Sequence, residues 1–537
     1  MLAGGASIAA VGQAVSAVST NTFPSLTFGK VVHLKKQTFL LGLFLCAHLA
    51  SAASVKTMLA FADVHYDLLY SPTSTPERMC RGANDGPAQY YCDSSEWLVD
   101  SLFGMMSTTM ATPDFIYYGG DTGPHNVNSS VIYQAQQRFL EQLRGRFPHT
   151  STIMSLGNDD FPEDYEASCD PEWYQQLATL WTHHGILFDK STFVKGGYYA
   201  VSPLPGMRAL VLNTILYAAK NPLSLGTDPC GQFTWLRKEL ATAAAMNETV
   251  FVLAHAQPSH ESIDSPRTGV PDRIWKPEYV ERYLRIIRSL PPHAQLFGHM
   301  HEDSFRLMFA SGEDSLRPKE ATPCSVLIDL PPVTPKAGGN PTFRQYDIDF
   351  DDDTNAMHLR RYRQYNLDLA QEVPAWGIEY QSDVEYPALS DLGPARYRDL
   401  FLAVRDDEAT RHKYIRHYPS SSPVASLLRL NLCAIQCLDD EAFEHCRGKS
   451  WRSSVVLYVS IGGGAVVAIS FAGVATYFWW KRRRAAKLAE QERIAAGPEA
   501  DTLLGKSLPG PSGERPSGED TIQIPSRGPP LPPEVTV

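Results

Sequence analysis

Seven side chains of metal-binding type follow five separate apolar runs, in a fixed order along the chain. TMLAFADVH ends on Asp63 and His65, DFIYYGGD on Asp121, TIMSLGN on Asn158, FVLAH on His255, and AQLFGHMH on His299 and His301. Imidazole suits zinc, iron or manganese, carboxylate oxygen suits harder cations, and no thiolate enters the set. Two divalent cations ~3.5–4 Å apart need a shared anionic ligand. Asp121, alone between the paired-ligand segments, is the natural bridge. In an extended segment residues i and i+2 share a side, so Asp63 with His65, and His299 with His301, can each face one cavity. A lone D-x-H or H-x-H is ordinary surface sequence; the ordered set is not. The chemistry open to such a pair of cations is attack by a metal-activated hydroxide, the cations offsetting charge on the transition state. Asn158 fits there as a ligand that adds no further negative charge.

Such a set converges only if the apolar runs are neighbouring strands of an open sheet, because ligands there bind beyond the carboxyl ends of strands. Helix-compatible stretches lie between the runs: 96–110, 130–147 and 277–290, the last opening on Pro277 and closing on Pro291 and Pro292. Strands alternating with helices predict a layered α/β fold. After about residue 340 two strands joined by an acidic turn, Asp351–Asp353, are expected, then a mostly helical stretch from Val384 to Cys446.

The order D-x-H, G-D, G-N, H, G-H-x-H resembles the calcineurin-like metallophosphoesterase superfamily. The wording around it (FADVHYDLLY, the Cys80 and Cys92 loop, GGDTGPHN, GNDDFP, LNTILY, GQFTWL, GHMHEDSF) resembles its acid-sphingomyelinase-like branch over roughly residues 57–435. The resemblance implies two β-sheets flanked by helices and two divalent metals, zinc first and iron or manganese as alternatives. It implies that Asp63, His65, Asp121 and His301 hold one ion, and that Asp121, Asn158, His255 and His299 hold the other. It also implies a Cys80–Cys92 disulfide and a small, mostly helical C-terminal subdomain. One position departs from the pattern. The superfamily commonly places histidine after the motif asparagine, and here Asp159 stands there, able to donate a proton only if its pKa is raised. Endopolyphosphatases of the same branch also lack that histidine. His125, in Asp121-T-G-P-His125, matches a second family histidine and is the expected general acid, with Asp159 beside it as the second catalytic candidate. His260 is a candidate for substrate contact.

The 537 residues carry a net charge of −11 with no basic stripe in the lumenal part, which argues against nucleic acid as the main partner. Residues 35–53 have the layout of a secretory signal peptide, two lysines, an apolar core and small residues, within a targeting segment 1–53. Cys46 lies in it; the other cysteines precede the second hydrophobic segment and are even in number, as disulfides of an oxidising compartment would require. Cys433, Cys437 and Cys446 cluster, so at least one reaches elsewhere or stays free. Sequons at Asn128 and Asn247 fit glycosylation in the same compartment. Residues 453–480 hold no charge and end on Trp479 and Trp480 before Lys481-R-R-Arg484, as expected of a transmembrane helix with its cytosolic flank. The tail 481–537 is expected to be disordered. Its Glu499-A-D-T-Leu503-Leu504 could engage sorting adaptors, and its Pro529-P-L-P-Pro533 could form a polyproline II ligand.

The domain plan is thus a metallophosphoesterase domain at 54–335, a C-terminal subdomain at 336–450, one C-terminal span and a tail. The expected function is an acid-sphingomyelinase-like phosphodiesterase, type I in an endolysosomal or vacuolar membrane or at the cell surface. It would cut a small or polymeric phosphate-containing substrate. The short lead-in between the signal segment and Asp63 leaves no room for a lipid-binding domain there, which raises nucleotide or polyphosphate against sphingolipid. The alternatives are an endopolyphosphatase and a non-catalytic metal-binding receptor ectodomain, which Asp159 alone favours.

Overall fold

The computed structural model describes residues 54–76, 79–82, 87–264, 271–350, 356–418 and 424–448. The targeting segment, the acidic turn at 351–353, the span at 453–480 and the tail lie outside these residues. Among the described residues no helix is long and apolar enough to cross a membrane.

Two six-stranded mixed sheets face each other. The first comprises β1 (Ser54–Phe61), β2 (Phe115–Tyr118), β3 (Ser151–Met154) and, later in the chain, β12 (Thr342–Phe350), β13 (Met357–Leu367) and β14 (Trp376–Gln381), in the order β14-β13-β12-β1-β2-β3. The second comprises β4 (Tyr199–Val201), β5 (Met207–Val211), β6 (Thr249–Leu253), β9 (Ala294–Phe297), β10 (Phe305–Phe309) and β11 (Pro323–Asp329), in the order β10-β11-β9-β6-β5-β4. A small hairpin, β7 (His260–Asp264) and β8 (Pro271–Arg273), stands apart.

The metal-motif strands run parallel to their neighbours: β1 with β2, β2 with β3, β5 with β6, and β6 with β9. Parallel strands are covered on both faces and read as continuous apolar runs, which is why FIYY and AQLF are buried throughout. On β2 the alternation is explicit. Tyr117 reaches across to the second sheet and donates to Ala254 O at 2.8 Å, while the Tyr118 ring packs on Phe139 with centroids 4.7 Å apart. Phe139 belongs to α2 (Ser129–Arg146), which covers the first sheet with α1 (Glu96–Thr109). Both helices have side-chain N-caps, Ser95 for α1 and Asn128 for α2. Helix α3 (Pro171–His183) and short α4 (Lys190–Gly196) follow β3, and α5 (Gln232–Met246) packs on β5 and β6. Helix α6 (Pro277–Ser289) begins on Pro277, as its sequence predicts.

The boundary expected at 335/336 falls between β11 and β12. Strands β12 to β14 complete the first sheet, with β12 antiparallel to β1 from Ser54↔Phe350 to Ala60↔Arg344. The change of texture near residue 340 coincides with this antiparallel pairing. The helical part begins after β14, with α7 (Pro394–Asp406), α8 (Glu408–His417) and α9 (Val424–Gln436); α7 packs on β10 and β11. Disulfides join Cys80 to Cys92, Cys169 to Cys230 and Cys433 to Cys446. Cys437 is the member of the C-terminal trio left free, and Cys324 is also free.

Candidate metal centre

All five ligand-bearing loops leave the carboxyl ends of parallel strands: β1, β2 and β3 in the first sheet, β6 and β9 in the second. The site therefore straddles the two sheets. Tight turns are needed to aim the ligands back into the gap between them. Asp63, His65, Asp121, His299 and His301 have φ values of 55, 43, 59, 72 and 53°, in the left-handed region. Each such non-glycine residue costs of order 1–3 kcal/mol and persists where the surroundings enforce it. The motif glycines make room. A Cβ on Gly157 would stand 2.0 Å from Asp121 Oδ1, and one on Gly120 (φ 95°) would stand 2.7 Å from Gly157 N.

The ligand atoms converge. His65 Nε2 is 3.2 Å from His301 Nε2 and 3.5 Å from Asp121 Oδ2. His255 Nε2 is 3.0 Å from Asp121 Oδ2 and 3.9 Å from Asp63 Oδ1, and His301 Nε2 is 3.5 Å from Asp63 Oδ1. Three groups of metal-ligating type result among the described residues: Asp63-His65-His301 and Asp121-His255-His299, with Asp121 near both, and His65-His125-Asp159 at the edge. Outer partners fix the rings. The Nδ1 atoms of His65 and His255 lie 3.1 Å from Gly123 O and 2.8 Å from Gly119 O, so each turns Nε2 inward. Burial, then the neighbouring His125, holds the His65 pKa well below the ordinary value; burial, then His255, does the same for His299. Both shifts favour the neutral, ligating form.

The donors fit a pair of divalent cations on one further ground. Asp63 Oδ2 and Asn158 Oδ1 are buried without a hydrogen-bond partner. Asn158 spends its amide on Asp159 Oδ2 (2.9 Å) and Asp164 Oδ1 (3.0 Å), leaving its carbonyl oxygen uncommitted. Buried polar atoms are rarely left so, and these two lie on residues singled out as ligands. His255 and Asp121 behave as a pair. Although burial opposes its charge, the Asp121 carboxylate pushes His255 up to about 10; despite its own burial, Asp121 is held low by His255. A cation between them would take the place of that proton.

His125 lies at the edge of this cluster, its ring stacked on His65 with centroids 4.1 Å apart. Its Nδ1 is 2.8 Å from Asp93 Oδ1, and its Nε2 is 3.8 Å from Asp159 Oδ2. Burial opposes the charge on both members of the pair, but each outweighs it for the other: Asp93 raises His125 to about 9, and His125 lowers Asp93 to about 2. Asp159 lies between His65 and His125, and its N–H donates to Asp121 Oδ1 at 2.8 Å. Burial, then the Asp121 charge, raises its pKa well above the ordinary carboxyl value, the condition under which it could hold a proton.

Two site residues escape motif reading. Asp93 orients His125 and follows Cys92 in the disulfide loop; a carboxylate beside a cysteine carries no spacing signal. Asp160, fully buried, accepts from the backbone of Asp121 (2.8 Å), Thr122 (2.9 Å) and Gly157 (2.9 Å) and from Gln136 (3.2 Å). It thus ties the β2 and β3 loops together. Burial, then Asp121, moves it up to about 6.

His260 is placed differently. Its Nε2 is 2.9 Å from Asp440 and its ring stacks on Phe443 at 4.0 Å, holding β7 to the C-terminal helical part. That geometry is structural, in place of the substrate contact expected. Asn128 and Asn247 are both exposed, at the N-cap of α2 and the C-cap of α5.

No protein-family model matches the chain. It is 26% identical over 416 residues to sphingomyelinase phosphodiesterase C of Dictyostelium discoideum, covering 72% of this chain and 91% of that one. It is 27% identical over 424 residues to acid sphingomyelinase-like phosphodiesterase 3b of Homo sapiens, covering 72% and 88%. It is 28% identical over 417 residues to a cyclic GMP-AMP phosphodiesterase of Mus musculus, covering 72% and 90%. The resemblance carried by the motifs therefore extends over most of the chain.

Proposed function

We propose that this chain, a relative of the acid-sphingomyelinase-like phosphodiesterases, hydrolyses a phosphodiester or phosphoanhydride with two divalent cations in a lumenal or extracellular compartment. The observation that carries this reading is the convergence of ligand atoms around Asp121, with Asp63 Oδ2 and Asn158 Oδ1 buried and unpartnered. Asp63, His65, Asp121 and His301 would hold one ion; Asp121, Asn158, His255 and His299 would hold the other. Zinc is the first choice for so many imidazoles, with iron or manganese next. Bound there, the cations supply Lewis acidity at phosphoryl oxygens and a nucleophile from water near neutral pH.

The chain's own residues do the rest. Asp121 faces both groups and keeps them at a fixed separation, while Asp160 holds its loop against that of Asn158. His125 directs Nε2 past Asp159 and donates its proton to the departing oxygen, and Asp93 keeps the ring in the donating orientation. The disulfides support an oxidising compartment. The span at 453–480 would tether the domain to a membrane, with the dileucine-like signal in the tail read by sorting adaptors. Asp159 favours one second reading, an endopolyphosphatase, because it removes the usual motif histidine.

Purified full-length protein, stripped with chelator and reloaded with zinc, is to be assayed in acidic and neutral buffer. Sphingomyelin, bis(4-nitrophenyl) phosphate, ATP and polyphosphate are the substrates. Zinc-dependent release of nitrophenol is expected. Bound metal with no turnover of any substrate would overturn the reading in favour of a scaffold ectodomain.

A further inference from the structure

Lys220 stands on the His299 side of the candidate metal centre and has no part in the ligand set. It follows the helical turn Thr214–Tyr217 at the end of β5. Its ammonium lies 5.4 Å from the centroid of the Tyr165 ring, and Tyr165 OH is 3.2 Å from His299 Nε2. Tyr165 is itself held in the left-handed region, φ 64°, in the loop that carries Asn158, Asp159 and Asp164. The tight turn there brings an aromatic face between a metal-ligating imidazole and a lysine. The ammonium is half exposed and its ion-pair partner is Glu261 on β7, at 3.3 Å. Exposed pairs of this kind contribute little to stability, so Lys220 can change partner at little cost.

Charge explains why a cation is useful there. Asp63, Asp121, Asp160 and Asp164 crowd this side of the two sheets, so two divalent ions would do little more than neutralise them. On the opposite side Arg81 is committed, to Asp67 at 2.7 Å and to the His125 carbonyl at 2.6 Å. A substrate with one charged phosphate needs little more than the metals. On the His299 side, further anionic phosphates beside the scissile one find no surplus positive charge unless a cation receives them.

We infer that Lys220, seated on Tyr165, is a specificity-determining residue that receives an anionic phosphate adjacent to the scissile one, which selects phosphoanhydride and polyphosphorylated substrates. The inference rests on the phosphoesterase reading and deepens it. Receipt of the phosphate exchanges the Glu261 pair for a charge-assisted hydrogen bond, and no covalent step involves the lysine.

The test compares inorganic tripolyphosphate with bis(4-nitrophenyl) phosphate on the full-length, zinc-loaded protein. For Lys220→Met, the ratio of kcat/KM for tripolyphosphate to that for the nitrophenyl diester falls roughly 10- to 100-fold, mostly through KM. Lys220→Arg restores most of the ratio, and added salt erodes it in the wild type more than in Lys220→Met. An equal loss on both substrates would reduce Lys220 to a prop for Tyr165 and overturn the inference, as would an unchanged ratio. Hydrolysis of the diester alone by the wild type would overturn it too. If the wild type hydrolyses neither substrate, the phosphoesterase reading fails by itself. Lys220 is then judged by calorimetric binding of tripolyphosphate, where equal affinity in wild type and Lys220→Met would overturn its role.

Discussion

Two buried polar regions begin within two residues of each other after β9, and they are built on opposite terms. The loops ending in His299 and His301 join a cluster in which Asp63 and Asn158 keep unpartnered polar atoms, on left-handed turns at both histidines. Asp303, next along the chain but one, enters a closed network. Its carboxylate accepts from Arg344, from Gln364 Nε2 at 2.9 Å and from the Tyr380 hydroxyl. Arg344 also bonds Gln364 Oε1 (2.8 Å) and Asp329 O (3.0 Å), and lies 4.1 Å from the Tyr362 ring centroid. Asp303, Arg344, Gln364 and Tyr380 are absent from both the unpartnered atoms and the left-handed residues. Burial alone does not mark a functional site. Burial with open valences and enforced backbone does, and closed valences mark a structural one.

The largest expected effect would break the first side of that contrast. Asp121→Ala lowers turnover roughly 10³-fold or more, because several kcal/mol of charge stabilisation depends on both ions being held. Bound zinc, measured by mass spectrometry, falls below that of the wild type. The melting temperature of the chelator-treated protein changes by no more than ~5 °C, since the mutation also removes one of several crowded carboxylates. Full activity in this variant would sink the dinuclear mechanism.

The other side is tested by Arg344→Met, which leaves Asp303 buried and unpaired. A loss of about 3–5 kcal/mol in chemical denaturation is expected, with metal content per folded molecule retained. The double variant Asp303→Leu/Arg344→Met should recover much of that loss. A single variant as stable as the wild type would show that the closed network is not structural.

Next in size is His125→Gln. Turnover of an alkyl phosphodiester, whose leaving oxygen needs a proton, should fall about 10²-fold, and that of the nitrophenyl diester much less. Asp93→Asn should show the same leaving-group selectivity more weakly, because it misorients the donor without removing it. Equal losses on both esters would remove His125 from the role of acid.

The contrast also explains what the sequence made legible. The open cluster is written in short motifs, because each ligand must follow a strand that ends in the same gap. DFIYYGGD and AQLFGHMH therefore name their strands and ligands together. The helices at 96–109, 129–146 and 277–289 were equally readable, from their apolar spacing and the Pro277 start. The closed network is long-range: Asp303, Arg344, Gln364 and Tyr380 meet only through the register of β12, β13 and β14. No local pattern announces that these strands extend the first sheet. Asp160 and Asp93 failed for the same reason, since their partners lie on other loops. His260, five residues after His255, is carried by β7 to Asp440 and Phe443.

The smallest effect sharpens the closed side and concerns acid. His417, at the end of α8, has Nδ1 2.6 Å from Glu379 and Nε2 3.3 Å from Glu385. Its ring lies against Tyr380 at 4.3 Å and, farther off, Tyr386, and the Asp303 charge also faces it. Burial works against the imidazolium, but Glu379, Asp303 and Glu385 outweigh it and raise the pKa. A raised value means that folding favours the charged ring. The contribution is fully present below the ordinary histidine value of about 6.5 and is lost as pH rises through the folded-state value. Denaturation midpoints of chelator-treated protein, measured from mildly acidic to mildly alkaline buffer, should therefore decline less steeply in His417→Gln than in the wild type. Chelation matters because released metal would add a pH dependence of its own. Parallel curves for the two proteins would show that α8 is not fastened to β14 by this ion pair.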